Sequence, residues 1–114
     1  MQKFDYDLIV IGAGSGGTRT ARIASGYGAK TAVVEADRPG GTCVLRGCVP
    51  KKLLIYGSEF SKNIEDAVGY CWEVGDAKPN WKKLIEKKNK ELDRLHEIYV
   101  KLIKNSGCEL ITGW

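Results

Sequence analysis

Two cysteines five positions apart, Cys43 and Cys48, stand in the segment GGTCVLRGCVPKK. That spacing is too long for CxxC chemistry, yet two such thiols can close on each other when one of them begins a helix. In a first helical turn, unpaired N–H groups and a nearby lysine favour the thiolate that disulfide exchange requires, and Lys51 and Lys52 follow directly. Pro50 suits a helix start, because its fixed φ fits there and it has no N–H to satisfy. Spacing alone leaves two readings open: a redox pair, or two unrelated buried thiols.

A second group of residues points to a bound nucleotide. Gly12, Gly14 and Gly17 form G-x-G-x-x-G. In such a turn the first glycine permits the bend, the second lets the backbone approach a pyrophosphate, and the third lets a helix pack closely on a strand. The helix N-terminus then offers free N–H groups to the anion. Glu35 follows Gly12 by 23 residues, where a carboxylate can accept hydrogen bonds from ribose hydroxyls. A carboxylate there also repels a 2′-phosphate, so the expected ligand is FAD or NAD rather than NADP. The glycines alone also describe a structural turn; it is their setting that argues for a nucleotide.

That setting is a strand, a helix and a strand. Asp7 to Ile11 is a nearly continuous apolar run, as in a strand buried on both faces. Thr18 to Tyr27 reads as a helix closed by Gly26 and Gly28, and Lys30 to Glu35 as a second strand. Asp37 to Gly41 reads as a turn-rich loop. A helix is expected from about residue 50 to 57 and on through 67, with a surface connection over 69–80. Trp81, Leu84, Ile85, Leu92, Leu95, Tyr99, Leu102 and Ile103 recur at helical spacing, so a long amphipathic helix follows. Asn105-Ser106-Gly107 stops it, and residues 109–112 begin another strand. The expectation is an α/β fold of Rossmann-like type, a parallel sheet with flanking helices.

Composition narrows the function. The chain has 114 residues, 43% hydrophobic and 28% charged, the balance of one ordinary globular domain. Four cysteines do not make it a disulfide-stapled secreted module, because its apolar strands and helices promise a regular core. No cysteine pair has zinc spacing and the single histidine, His96, lies far from them, so no metal is expected. The net charge of +4 arises largely over 78–104 and reads as a solvated helical face. Trp81 and Tyr99 fall on that helix's apolar side, not among its cations, so no nucleic acid is expected. No apolar run suits a membrane span, and the N-terminus resembles no signal or import peptide, which makes the cytoplasm the default address.

GGTCVLRGCVPKK resembles the active-site segment of the pyridine nucleotide-disulfide oxidoreductases. Dihydrolipoamide dehydrogenases usually carry Ile-Pro-Ser-Lys after the second cysteine; Val49-Pro50-Lys51-Lys52 resembles the glutathione and trypanothione reductase branch instead. Leu45-Arg46 is closer to the bacterial and plant members than to the animal ones. The resemblance runs along the whole chain, from the GAGSGG turn to the closing Ile-Thr-Gly.

What the resemblance implies is specific. Electrons would pass from NADPH to FAD, then to the Cys48–Cys43 pair, then to glutathione disulfide. Cys48 would lie against the flavin and Cys43 would attack the substrate disulfide. Gly12, Gly14, Ser15, Gly16, Gly17, Glu35, Thr42, Cys43, Lys51 and, at the adenine end, Gly113 would contact FAD. Ser15, Arg22 and Tyr99 match positions near glutathione. Arg22 also reads as a solvated helix residue and Tyr99 as a packing residue. Cys71 and Cys108 match no redox position and read as passive, partly buried thiols, while His96 reads as a surface or boundary residue.

Family chains are several times longer. The resemblance therefore makes residues 1–114 the N-terminal segment of an FAD-binding domain, without the NADPH-binding domain or the interface domain that builds the homodimer. Such a segment is expected to be inactive alone. Alternatives are a reductase of the trypanothione or dihydrolipoamide type, or a catalytically silent dinucleotide-binding fragment.

Overall fold

The computed structural model describes residues 3–114. Strand β1 (Leu8–Ile11), helix α1 (Ser15–Gly26) and strand β2 (Thr31–Glu35) make the first βαβ unit. β1 and β2 are parallel, with Leu8 opposite Thr31 and Ile11 opposite Val34. Helix α1 stops at Tyr27, where Gly28 takes φ +92°, a left-handed conformation that favours glycine.

Helix α2 (Gly41–Leu45) follows, then α3 (Cys48–Gly69) and α4 (Trp81–Asn105). Strand β3 (Glu109–Thr112) returns to lie parallel beside β2, Ala32 opposite Glu109 and Glu35 opposite Thr112. The sheet order is β1-β2-β3, so β2 is central. The expected α/β architecture with a parallel sheet is what the chain adopts.

One face of this sheet carries the core. Val10, Val33 and Leu110 are register partners and share that face. They pack with Ala13, with Ala21 of α1, with Ile103 at the end of α4 and with Cys108 just before β3. Cys108 is 5% exposed and its thiol donates to the Ala21 carbonyl at 3.2 Å, so it belongs to the core. Cys71 differs from expectation: it is exposed, at φ +64° in the turn after α3.

The other sheet face corrects the reading of β1 as buried on both sides. Ile9 is 54% and Ile11 89% exposed, because no described segment covers them. At the strand starts, the Tyr6 hydroxyl donates to the Glu109 carboxylate, which together with partial desolvation holds that phenol above its usual range.

Helix α4 runs as its periodicity predicts, capped by Asn80, whose side chain accepts from the Lys83 N–H at 2.9 Å. Gly107 at φ +82° ends it. Helix α3 starts two residues earlier than Pro50 and ends two residues beyond Ala67. Helices of 22 and 25 residues help to make the molecule long, 77 × 25 × 18 Å. Among the described residues no helix is long and apolar enough to cross a membrane.

Candidate nucleotide and redox site

The glycine turn begins where β1 ends. The Gly12 N–H donates to the Val34 carbonyl at 2.7 Å, and Gly12 then turns at φ +95°. Gly14 precedes α1 and offers no side chain to cap it, so the first N–H groups of the helix lack a side-chain acceptor. A Cβ on Gly17 would lie 1.8 Å from the Gly12 carbonyl oxygen, which is how closely α1 packs on the turn. A Cβ on Gly12 or Gly16 would meet nothing within 4 Å, so open space adjoins the turn. Free N–H groups beside open space suit an anion such as a pyrophosphate.

Glu35 ends β2 beneath this turn. One carboxylate oxygen accepts the Ala13 N–H at 2.7 Å and the other accepts the Asp37 N–H at 2.9 Å. Sequence reasoning assigned Glu35 to a ribose; its first task in the fold is to hold the turn and the following loop together. Each oxygen keeps a further lone pair for a ribose hydroxyl. Gly113, after β3, donates its N–H to the Glu35 carbonyl at 3.0 Å and so adjoins the same end of the sheet.

The redox segment is pressed against this turn. The Gly40 N–H donates to the Ala13 carbonyl at 2.9 Å. A Cβ on Gly41, which sits at φ +63°, would lie 2.7 Å from the Cα of Gly14. It is Gly41 that must be bare for this contact, since a Cβ on Gly14 would meet the Gly41 Cα only at 3.9 Å. From Gly41 the chain forms α2, a helix that the local pattern does not announce, and α2 carries Thr42 and Cys43.

Cys43 and Cys48 are joined in a disulfide, their Cα atoms 4.7 Å apart. Cys43 is the third residue of α2 and Cys48 the first of α3, so the bridge ties two helices at a sharp bend. Gly47 makes that bend, since a Cβ there would lie 3.0 Å from the Thr42 carbonyl oxygen. The Lys51 N–H closes the first turn of α3 on the Gly47 carbonyl at 3.0 Å. Pro50 lies in that turn and is buried. Cys48 is exposed and Cys43 half-buried, while the side chains of Thr42 and Lys51 reach solvent.

Arg46, between the two cysteines, pairs with Asp37, and Arg38 pairs with Asp93 of α4 at 2.7 Å. Both pairs are largely exposed, so each contributes at most ~1 kcal/mol. His96 is half-buried on α4, a boundary residue as expected, but it makes a contact that the sequence does not announce. Its Nδ1–H donates to the Pro39 carbonyl at 3.0 Å, immediately before Gly40. Pro39 has no N–H and is buried, and leaving such a carbonyl unpaired costs about 1–3 kcal/mol. No local pattern could have shown a contact across 57 residues.

Ser15 and Gly16 are exposed at the start of α1. Arg22 is exposed seven residues further along that helix, and Tyr99 is half-buried on α4. The fold therefore brings the glycine turn, Glu35, Gly113 and the redox bend to one region. Among the described residues no hydrogen bond joins Arg22 or Tyr99 to it. No group of three or more possible metal ligands occurs among the described residues.

A βαβ nucleotide turn thus abuts a disulfide at a helix start. Residues 6–114 match the pyridine nucleotide-disulphide oxidoreductase family, and the chain belongs to it. It is 53% identical over 113 residues to a glutathione reductase of Burkholderia cepacia, covering 99% of this chain and 25% of that protein. A glutathione reductase of Nostoc sp. is 54% identical over 110 residues, covering 96% and 24%. The chloroplastic/mitochondrial glutathione reductase of Pisum sativum is 47% identical over 123 residues, covering 98% and 22%. The chain thus spans about a quarter of the length of the curated relatives it matches.

Proposed function

We propose that this chain is the FAD-binding, disulfide-bearing part of an NADPH-dependent glutathione-disulfide reductase. The observation that carries the reading is the Cys43–Cys48 disulfide held at the start of α3, against the nucleotide turn. Relatives carrying the glutathione reductase name over this region support the choice of substrate. On the same reading the complete protein is a cytoplasmic homodimer whose NADPH is bound by residues beyond this chain.

The residues suit FAD. The uncapped start of α1 would receive the pyrophosphate through Ser15 and Gly16, with Gly12, Gly14 and Gly17 keeping the turn bare. Glu35 would take ribose hydroxyls on its remaining lone pairs, and Gly113 borders the same end of the sheet. Thr42, Cys43 and Lys51 would line the flavin side. When bound, FAD supplies the electron pair that reduces the disulfide.

The chain's own residues then perform thiol–disulfide exchange. The reduced pair is two thiols, and the Cys43 thiolate attacks one sulfur of glutathione disulfide, releasing one glutathione as thiolate. Cys48 attacks the mixed disulfide at Cys43, releases the second glutathione and restores the Cys43–Cys48 bond. The start of α3 favours a thiolate at Cys48 through its free N–H groups. Ser15, Arg22 and Tyr99 are proposed to hold the peptide, the cation facing its carboxylates.

The full-length protein decides this reading. It should consume NADPH when glutathione disulfide is added, and Cys48→Ser should abolish the consumption. A full-length protein that retains flavin but leaves glutathione disulfide unreduced sinks the substrate assignment.

A further inference from the structure

We propose that His96 is a positioning residue for the redox pair, acting through the Pro39 carbonyl on the loop that presents Cys43. The proposal rests on the disulfide-reductase reading above and assigns part of its machinery to a side chain outside the redox segment.

The loop from Arg38 to Gly41 is where position must be imposed. Gly40 and Gly41 adopt successive positive φ values, +119° and +63°, and glycine by itself selects no single conformation. The space is tight on both sides: a Cβ on Gly40 would lie 3.2 Å from Val44, and one on Gly41 would lie 2.7 Å from Gly14. Besides the exposed Arg38–Asp93 side-chain pair, two hydrogen bonds fix the backbone of the loop at Pro39 and Gly40. The Gly40 N–H holds it to Ala13 of the nucleotide turn, and the Pro39 carbonyl is held to His96 of α4.

Glu35 holds the residue just before the loop through the Asp37 N–H; from Arg38 to Gly41, among the described residues, His96 is the only side chain that bonds the backbone. Pro39 has no N–H, so its carbonyl is the one backbone group through which it can be held. Cys43 lies four residues beyond, in a helix of five residues that cannot define its own position. The other half of the bridge, Cys48, is fixed independently by α3. The relative placement of the two sulfurs thus depends on where α4 holds Pro39. Tyr99 lies three residues after His96 on α4, so the same helix links the redox loop to a residue proposed to meet substrate.

A carbonyl acceptor requires the proton on Nδ1, and the carboxamide N–H of an asparagine reaches much the same place. This separates the hydrogen bond from the bulk of the side chain. The test uses the full-length flavin-bound protein as wild type, His96→Ala and His96→Asn. Each is equilibrated in dithiothreitol redox buffers, and the Cys43–Cys48 pair is scored by alkylation with iodoacetamide and mass measurement.

His96→Ala should shift the thiol–disulfide equilibrium constant by about two- to tenfold, the effect of losing one hydrogen bond of ordinary net strength. His96→Asn should restore the wild-type value. An unshifted His96→Ala protein overturns the proposal, and so does a shift that His96→Asn leaves in place. Should His96→Ala lose its flavin, His96→Asn decides alone: a wild-type equilibrium supports the proposal and a shifted one overturns it. A wild-type pair that no dithiol buffer reduces removes the disulfide-reductase reading itself, and this proposal with it.

Discussion

Gly17 stands so near Gly12 that a Cβ on it would lie 1.8 Å from the Gly12 carbonyl oxygen. That oxygen belongs to the backbone of the turn, and the turn is fixed on both sides by hydrogen bonds. A methyl group at position 17 must therefore push α1 off the sheet. Gly17→Ala in the full-length protein should cost about 2 kcal/mol or more and lower the melting temperature. Gly16→Ala, where a Cβ meets nothing within 4 Å, should leave the melting temperature of the flavin-free protein unchanged or raised. Equal effects of the two substitutions would show that helix packing is not what position 17 requires.

Glu35 joins two backbone donors that otherwise have no common anchor, Ala13 and Asp37. Its removal should act twice. Glu35→Ala should weaken flavin retention, and it should also destabilise the flavin-free protein by about 1–3 kcal/mol, since two N–H groups lose their acceptor. Glu35→Gln keeps one oxygen but turns an N–H₂ toward a donor, so it should rescue little. Thermal melts with and without added FAD separate the two effects. A flavin-free protein as stable as wild type would leave Glu35 with a ligand role only.

These two positions show what a single sequence can reveal. β1, α1, β2 and α4 were legible because their signals are local: an apolar run, a glycine turn and an amphipathic period. Glu35 was legible as a site residue from its distance to Gly12, but not as a brace, because its partners depend on how β1 and β2 pair. Helix α2 was not legible. It holds five residues and begins at a glycine whose conformation is set by contact with Gly14. The exposure of Ile11 was missed for the opposite reason, since an apolar residue reports what it favours and not what is there to cover it.

That uncovered face has a measurable consequence. Ile9 and Ile11 point from the same side of β1, and an exposed apolar face binds hydrophobic dyes and promotes association. A polypeptide of these 114 residues should enhance the fluorescence of anilinonaphthalene sulfonate and should self-associate in sedimentation. Ile11→Thr should reduce both while changing stability by no more than about 0.5 kcal/mol, because an exposed side chain contributes little burial. Unchanged dye binding in Ile11→Thr would place the dye elsewhere.

The exposure of the two cysteines leads to the last prediction. Cys48 is exposed and Cys43 half-buried, the reverse of what a substrate-attacking thiol at position 43 would need on its own. The proposed roles agree with this geometry if the flavin covers Cys48 and leaves Cys43 as the accessible sulfur. Alkylation of the reduced full-length protein should therefore depend on cofactor. With FAD bound, iodoacetamide should modify Cys43 first; after flavin removal, Cys48 should react at least as fast as Cys43. Peptide mapping at short reaction times reads both rates. Cys43→Ser should leave Cys48 as the remaining thiol of the pair, protected by FAD, and Cys48→Ser should leave Cys43, which FAD does not protect; the exposed Cys71 reacts alike in both and serves as the internal reference. If FAD instead shields Cys43 and spares Cys48, the flavin-side and substrate-side roles belong to the opposite residues.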